Sequence, residues 1–235
     1  MNALSIILPA YNEVVTLADV VWDITAFAKI ALDDYEILLV DDGSTDATGG
    51  IADGLAIQLA RVRVLHQGRN RGVGAAYAWG LTVARCPYVT FLPADGEIAP
   101  GSIGAFFAAV GDADLVVTYH ANPEDRPWHR RLLTWGATAL VNRLFGFRLR
   151  YYQGPVVYPT ELARRLPKTA GGFYFLTQML VHALAEGHTY TEVGLVHRPR
   201  QAGTSRAVSL RNIVRALRTM LTTYWALRMR GGGTG

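Results

Sequence analysis

The feature that most constrains the fold is a regular alternation of short apolar runs with segments of helical periodicity. The run LSIIL occupies 4–8 and the run EILLV occupies 36–40. Both are continuous, which is typical of strands buried on both faces of a parallel sheet. Between them, apolar residues recur at intervals of three and four, namely Leu17, Val20, Val21, Ile24 and Phe27. With Asn12 or Thr16 as a helix cap, this segment predicts a strand, a helix and a second strand.

The alternation continues along the N-terminal half of the chain. The pattern predicts, in order, a helix over 45–59, a strand over 61–66, a helix over 74–84, a strand over 88–92, a helix over 100–110 and a strand from Asp114. Strands that alternate with helices form an open, mostly parallel sheet with helices on both faces. The sequence therefore predicts an α/β fold of the Rossmann-like type.

Length and composition place the chain among globular proteins. It has 235 residues, of which 50% are hydrophobic, so one substantial core can form. The single cysteine, Cys86, cannot form an internal disulfide, which fits a reducing cytosol. The first residues lack the pattern of a secretory signal, and no run of about eighteen apolar residues could span a bilayer. We expect a cytoplasmic protein without a membrane-spanning helix.

Charge is distributed unevenly along the chain. Residues 1–117 contain 6 basic and 14 acidic side chains, whereas 118–235 contain 17 basic and 5 acidic ones. A basic half indicates an anionic partner such as phosphate, phospholipid or nucleic acid, although solvated helix faces explain the same count. We expect no nucleic-acid partner, since no RNA- or DNA-binding module is recognisable. The sequence leaves open whether the chain forms a homo-oligomer.

Two basic segments, 126–150 and 209–230, combine tryptophan and leucine with arginine at helical spacing. Helices of this kind lie in the membrane interface, attracted by anionic lipid. We interpret 209–230 as a basic amphipathic helix at a membrane surface and 231–235, which is rich in glycine, as a flexible tail. For each segment, an ordinary core-facing helix with solvated arginines is the competing interpretation.

Four polar clusters follow the predicted strands. They are PAYNE at 9–13, DDGSTD at 41–46, QGRNRG at 67–72 and PADGE at 93–97. In open parallel sheets, ligands bind beyond the carboxyl ends of the strands, so we expect the clusters to meet in one crevice. Asp41 and Asp42 are adjacent acids at a buried strand end, a costly arrangement that favours hydrogen bonds to a nucleobase or ribose. Helix capping by Ser44 or Asp46 is the alternative.

The other two clusters suggest phosphate chemistry. Asp95, with Glu97 nearby, could hold Mg²⁺ or Mn²⁺ on a diphosphate, although an aspartate in a turn before Gly96 is the default interpretation without further support. The glycine-containing loop 70–75 opens a predicted helix. Backbone amides at such a helix start can cradle phosphate, and tight packing explains the glycines as well.

Taken together, the clusters at 9–13, 41–46 and 70–76 resemble, in order and spacing, those of the family 2 glycosyltransferases, and within them the dolichol- and polyprenyl-phosphate mannose and glucose synthases. The resemblance runs from about residue 4 to about residue 217. It implies a GT-A domain over 1–208 that transfers a hexose, with inversion, from a GDP- or UDP-linked donor to a polyprenyl or dolichyl phosphate. A glycosyltransferase with a soluble or protein acceptor, and a degenerate nucleotide-sugar-binding module, are the alternatives.

The resemblance also implies roles for individual residues. It implies that the nucleotide-binding residues are Pro9, Tyr11, Glu13, Asp41, Asp42, Gly43, Asn70, Gly74 and Ala94. Asp95 corresponds to the catalytic, metal-binding acid, with Glu97 as a second candidate ligand. The segment RQAGTSR at 200–206 is similar to the family's Arg-x-x-Gly-x-Ser-Lys. By that similarity we expect Arg200 and Arg206 to serve catalysis and, with Ser205, to bind the acceptor; Gln153 is a further candidate for acceptor binding.

Three positions depart from the family pattern. Pro93 replaces the first acid of Asp-x-Asp, which predicts weak metal affinity, and Arg206 replaces a lysine but can still bind phosphate. Gln178 stands at a usually acidic position, so no general base is evident. A hydroxyl acceptor needs a base, whereas a phosphate monoester is already anionic near neutral pH. We therefore expect a lipid-phosphate acceptor and a peripheral location on the inner face of the membrane.

Overall fold

A computed structural model of the protein describes residues 2–169, 172–199, 220 and 222–225. Its strands are β1 (Ala3–Ala10), β2 (Asp34–Asp41), β3 (Val62–His66), β4 (Tyr88–Phe91), β5 (Leu115–His120), β6 (Val156–Pro159) and β7 (Tyr190–Leu195). Among the described residues these strands form a sheet in the order β3-β2-β1-β4-β6-β5-β7. The pairs among β1 to β4 are parallel, as the sequence predicts.

Helices cover both faces of this sheet. They are α1 (Leu17–Ala31), α2 (Thr48–Gln58), α3 (Val73–Val83), α4 (Pro100–Ala108), α5 (Trp128–Phe145), α6 (Thr160–Arg165) and α7 (Tyr174–Ala185). Helices α1, α2 and α4 pack on one face, and α3, α6 and α7 pack on the other. The two hydrophobic clusters that result confirm the predicted α/β architecture.

The central strand β1 shows why a continuous apolar run is needed here. Ile6 and Leu8 belong to the cluster under α1, α2 and α4, whereas Ile7 belongs to the cluster under α3. Successive side chains of a strand point to opposite faces, and all three of these side chains are fully buried. A strand covered on both faces therefore cannot alternate apolar with polar residues.

Strand β6 was not predicted from the sequence. It lies between β4 and β5 and runs antiparallel to both of them. Strand β5, expected simply as the next strand of a parallel series, pairs instead with β6 and, in parallel, with β7. A four-residue run that ends at Pro159 gives too weak a periodic signal to be recognised, and pairing order depends on packing that local sequence does not encode.

Two helix starts differ from the predictions. Thr16 occupies the position before α1, but its hydroxyl does not cap the helix and donates instead to the carbonyl of Ala94, at 2.7 Å. Helix α2 begins at Thr48 rather than at residue 45. The Asp46 carboxylate accepts the N–H of Thr48 at 2.9 Å, but Ala47 occupies the N-cap position and no side chain caps α2, so neither Ser44 nor Asp46 is the cap.

The two basic segments differ in how much of them is described. Segment 126–150 contains α5, whose only buried residue is Val141. Most of segment 209–230, and all of 231–235, lie outside the described residues; Met220 and 222–225 are helical. Within the part of the chain that is described, no helix is both long enough and apolar enough to cross a bilayer.

Candidate functional site

The carboxyl ends of β2, β1 and β4 lie side by side. Strand β1 is parallel to both neighbours, with Ala10 opposite Asp41 on β2 and Ile7 opposite Phe91 on β4. The Asp42 N–H donates to the carbonyl of Ala10 at 2.8 Å. The polar clusters 9–13, 41–46 and 93–97 therefore meet at one edge of the sheet, which we call the carboxyl edge.

Asp42 connects the second cluster to the third. Its side chain is 3% exposed, and its two oxygens accept the N–H groups of Arg71 at 2.8 Å and Gly72 at 2.9 Å. The start of α3 thus already binds an anionic group, and that group is the carboxylate of Asp42. These two amides are consequently engaged by the protein itself rather than open to a phosphate.

Gly43 permits this connection. Its φ is +70°, and a Cβ built on it would lie 2.5 Å from the backbone carbonyl carbon of Arg69. No other residue could bring the turn after β2 so close to the loop after β3. A Cβ built on Gly74, in contrast, would lie 3.4 Å from the Phe175 ring, so tight packing explains this glycine.

Asp41 is held by two partners. One oxygen accepts the N–H of Ser44 at 2.9 Å, and the other lies 3.0 Å from Nδ1 of His66. Burial acts to raise the pKa of Asp41, but the hydrogen bonds from Ser44 and His66 outweigh it and leave the pKa below its ordinary value. Sequence reasoning missed His66, although it ends β3 in register with Asp41.

Hydrogen bonds connect the first cluster, 9–13, to the turn after β2 and the start of α2. Asn12, with φ at +56°, donates its N–H to the Ser44 hydroxyl at 3.1 Å, and the Glu13 N–H donates to the Thr48 hydroxyl at 2.9 Å. Tyr11, which precedes Asn12, is exposed. The predicted nucleotide-binding residues found at this edge are Pro9, Tyr11, Glu13, Asp41, Asp42, Gly43, Asn70, Gly74 and Ala94.

Asp95 lies half-buried in the loop after β4, where one of its oxygens accepts the N–H of Glu97 at 3.1 Å. Among the described residues, no group of three or more His, Cys, Asp or Glu side chains is placed to hold a metal ion. Magnesium is commonly bound by one or two carboxylates together with substrate phosphates and water. Asp95 and Glu97 are the two carboxylates of the loop after β4 that suit a cation of this kind.

A cluster missed by sequence reasoning lies beyond β5 and β7. Nδ1 of His120 is 2.8 Å from Nδ1 of His197, and the Tyr151 ring packs on His120 with centroids 4.6 Å apart. Burial, the neighbouring His197 and the charge of Arg126 lower the pKa of His120 to about 3. Burial also lowers the pKa of His197. The two rings are therefore neutral near pH 7; the charge of Arg126 lowers the pKa of both, and the charge of Asp95 opposes it at His197.

The predicted acceptor residues are only partly described. Gln153 is half-buried just before β6, while Arg200, Ser205 and Arg206 lie outside the described residues. Gln178, on α7, accepts the N–H of Thr169 at 3.0 Å and donates to its hydroxyl at 3.1 Å. The residue at the usually acidic position is therefore hydrogen-bonded within the fold.

A cavity of about 320 Å³ opens between α1 and the loop after β4. Its walls include Asp19 and Asp23 of α1, Pro93 and Gly96 of the loop, and Arg198. It borders the loop that carries Asp95 but is lined by none of the predicted nucleotide-binding residues. We therefore assign the candidate site to the carboxyl edge rather than to this cavity.

Helix α5 presents large apolar side chains to solvent. Trp128, Leu132 and Trp135 are 75%, 58% and 70% exposed. They are spaced four and three residues apart and so share one face of the helix. Arg131 and Arg143 on the same helix are also exposed. The combination is typical of helices that rest on an anionic lipid surface.

Comparison with known proteins adds independent information. The family model described as Glycosyl transferase family 2 matches residues 5–169. The chain is 30% identical over 239 residues to a polyprenol monophosphomannose synthase of Mycolicibacterium smegmatis, covering 96% of this chain and 87% of that protein. It is 28% identical to an undecaprenyl-phosphate mannosyltransferase of Micrococcus luteus, covering 99% and 100%.

Solved structures support the fold. The crystal structure of glucosyl-3-phosphoglycerate synthase from Mycobacterium tuberculosis in complex with Mg²⁺ and uridine-diphosphate superposes with a TM-score of 0.70, covering 94% of this chain and 79% of that one. Sequence identity is 20%, so the likeness concerns the fold alone.

Proposed function

The chain belongs to the family 2 glycosyltransferases and has their GT-A fold, and we propose that it transfers a hexose from a GDP- or UDP-linked donor to a polyprenyl phosphate. Inversion at the anomeric carbon is part of the proposal. The donor would bind at the carboxyl edge, and the acceptor would approach from the side of β5 and β7.

The observation that carries this proposal is the meeting of three acidic or polar clusters at the ends of adjacent parallel strands. Asp42 is fixed by two backbone N–H groups, yet a carboxylate offers about four acceptor positions and can also accept from a nucleoside. Asp95 lies two strands away on the same edge. This spacing suits a ligand whose nucleoside contacts β2 and whose diphosphate contacts the loop after β4.

Asp95 and Glu97 would hold Mg²⁺ or Mn²⁺ against the diphosphate. When bound, such a cation supplies positive charge where negative charge develops on the leaving nucleotide. The rest of the site positions the donor: Asp42 keeps the loop after β3 against the turn after β2, and Thr16 holds the loop after β4 through the carbonyl of Ala94. Catalysis by such a site depends mainly on positioning and charge neutralisation.

The acceptor assignment draws on the names of the relatives and on chemistry. In the proposed reaction, a phosphate oxygen of the acceptor attacks the anomeric carbon while the bond from that carbon to the diphosphate oxygen breaks. The electron pair leaves with the nucleoside diphosphate, and no proton has to be removed from an anionic phosphate. The charge of Arg126, which acts on both His120 and His197, would attract the acceptor phosphate. Arg200, Ser205 and Arg206 stay predictions from the sequence.

The membrane assignment rests on α5. Tryptophan and leucine on one exposed face, with arginine beside them, would place the enzyme at the cytoplasmic surface of a membrane that holds the lipid acceptor. The basic segment at 209–230 would add further attraction. Nothing in this proposal requires a membrane-spanning helix.

An extraction assay tests the reaction. A panel of radiolabelled GDP- and UDP-sugars is incubated with polyprenyl phosphate and Mn²⁺, and the label that passes into organic solvent is counted. The proposal expects one donor to label the lipid phase and chelation of the metal to lower the rate. Label on a water-soluble product such as a phosphorylated acid would indicate a soluble acceptor. Nucleotide binding with neither transfer nor donor hydrolysis would indicate a degenerate binding module.

A flotation assay tests the membrane assignment. Vesicles with about a third anionic lipid should carry the unaltered protein, while the double variant Trp128→Ala, Trp135→Ala should remain behind. Trp22→Ala on α1 is the matched control, since Trp22 is also exposed but lies on another helix. Equal flotation of all three proteins would refute a role for α5.

A further inference from the structure

The His66 side chain lies between two carboxylates. Its Nδ1 is 3.0 Å from an oxygen of Asp41, and its Nε2 is 2.9 Å from an oxygen of Asp53 on α2. An imidazole can satisfy both acids at once only when it is protonated, because only then does each ring nitrogen carry a hydrogen. A neutral ring has only one N–H, so its other nitrogen would direct a lone pair at the second carboxylate.

Further hydrogen bonds connect Asp41 to the candidate site. The second oxygen of Asp41 accepts the N–H of Ser44, and the Ser44 hydroxyl accepts the N–H of Asn12. A continuous chain of hydrogen bonds therefore runs from Asp53 through His66 and Asp41 to the loop after β1. It links the ends of β3, β2 and β1, the strands that border the proposed nucleoside position.

The packing around Asp41 leaves little room for another arrangement of its side chain. A Cβ built on Gly49 of α2 would lie 3.0 Å from the Asp41 oxygen that faces His66 and 3.6 Å from Cε1 of that ring. The first turn of α2 therefore lies directly over the ion pair. A shift of Asp41 would have to move α2 or the turn at 41–46.

The charges around the ring favour the protonated form. Hydrogen bonds to Asp53 and then to Asp41 raise the pKa of His66 above its ordinary value of 6.5, against a smaller opposing effect of burial. These two acids, one on α2 and one on β2, are the charged groups that act on the ring. Asp41 itself is 7% exposed and lies beside the buried Asp42, so a nearby cation offsets a costly pair of acids.

We infer that protonated His66 is a positioning residue of the donor site, which fixes Asp41 and, through it, the turn at 41–46 against the bound nucleotide. The inference rests on the proposed function, because it assigns His66 to the wall of the site in which the donor would bind. It also predicts that donor affinity depends on the protonation of a residue that does not touch the reacting atoms.

The test compares nucleotide binding by calorimetry in His66→Ala, His66→Asn and a control, His188→Ala. His188 lies just before β7, the edge strand farthest from β3 in the sheet, and is near Asp114 and Glu186. UDP and GDP are titrated with Mn²⁺ from about pH 6 to about pH 8.5, the interval in which histidines change charge. The nucleotide itself also changes protonation over this interval, but it does so equally for every protein. Its contribution therefore cancels in the ratio of the variant's dissociation constant to that of the control.

We expect His66→Ala to bind about tenfold more weakly than the control near pH 6, and the ratio to shrink as pH rises and the native His66 loses its proton. His66→Asn can still donate to Asp41, so it should recover part of the affinity without the pH dependence. In turnover assays, the donor KM should rise while kcat stays within about twofold, the pattern of lost uniform binding.

The outcomes separate the two proposals. If the unaltered protein binds neither nucleotide, the proposed function fails and the role of His66 fails with it. If the unaltered protein binds but His66→Ala matches the control at every pH, only the inference fails. Thermal unfolding checks that each variant is folded. Should His66→Ala not fold, Asp53→Asn, whose side chain is largely exposed, replaces it and should move the pH dependence to lower pH.

Discussion

The two ends of the central sheet use buried polar side chains in different ways. At the amino end, Glu36 accepts the Ser5 hydroxyl at 2.7 Å and the Arg85 N–H at 2.6 Å, and its other oxygen pairs with Arg63 at 2.9 Å. Ser5 in turn accepts the N–H of Cys86 at 3.0 Å. These groups satisfy one another within a closed network under the end of α3.

At the carboxyl edge, the acids are satisfied mainly by the backbone of loops. Asp42 accepts from Arg71 and Gly72, and Asp95 accepts from Glu97. Such contacts fix the shape of a loop while leaving further acceptor capacity on the carboxylate. The two ends differ in that Glu36 pairs with the charged side chain of Arg63, whereas Asp42 and Asp95 accept from loop amides and keep their charge available to a ligand.

The largest expected difference between the two ends concerns turnover. Asp95→Asn should lower kcat by about 100-fold or more, because it removes a charge that would hold the metal on the diphosphate. Its stability should change little, since the amide oxygen can still accept from Glu97. Initial rates at saturating donor measure the effect, with Asp19→Asn as the control. Equal rates for the two variants would mean that Asp95 has no part in catalysis.

The next effect combines stability and binding. Asp42→Asn places an NH₂ group of a buried side chain against one of two partly buried N–H donors, which should cost about 2 kcal/mol of unfolding free energy and weaken nucleotide binding. Urea titration and calorimetry measure the two quantities. The control is Asp46→Asn, which keeps an oxygen to accept from Thr48. Unchanged stability in Asp42→Asn would show that the loop after β3 does not depend on this acid.

A smaller effect is expected at the amino end, on stability alone. Glu36→Gln turns an NH₂ group toward Arg63, which should cost about 1 kcal/mol because Arg63 is partly solvated. Nucleotide affinity and kcat should match the unaltered protein below the melting range. A loss of nucleotide affinity in Glu36→Gln would contradict the division between the two ends.

At neutral pH the smallest effect concerns His120, because its contribution is a pH dependence of stability that develops only in acid. The pKa of His120 is held at about 3, below its ordinary 6.5, so between these values the unfolded chain binds a proton that the native chain does not. The stability due to this difference is present above the ordinary pKa and is lost as pH falls toward the native pKa. His120→Asn should therefore flatten the acid side of the stability curve. A constant difference between the two proteins from neutral to acid pH would contradict this assignment.

Much of the fold follows from the sequence, because buried parallel strands have a distinctive pattern. The runs at 4–8 and 36–40 fall within β1 and β2, and the segment between them forms α1. The position of β6 in the sheet could not be predicted, since it depends on which edges remain open after the other elements pack. The rule that ligands bind beyond parallel strand ends brought the clusters together correctly.

The details of the site were less accessible. The backbone groups that donate to Asp42 lie 29 and 30 residues further along the chain, and His66 lies 25 residues from Asp41. Such contacts depend on how close two loops approach, which spacing in the sequence does not determine. The pairing of His120 with His197, 77 residues apart, is of the same kind. Sequence therefore identified the edge of the sheet but not the network within it.

Hydrogen–deuterium exchange with and without nucleotide tests the central claim most directly. On addition of UDP or GDP with Mn²⁺, the account predicts slower exchange in 11–16, 42–47, 67–74 and 93–98, and no change at 84–87 beside Glu36. Asp95→Asn should reduce protection at 93–98 above all. Protection confined to 84–87 or to α5, with the four loops unaffected, would contradict a donor site at the carboxyl edge.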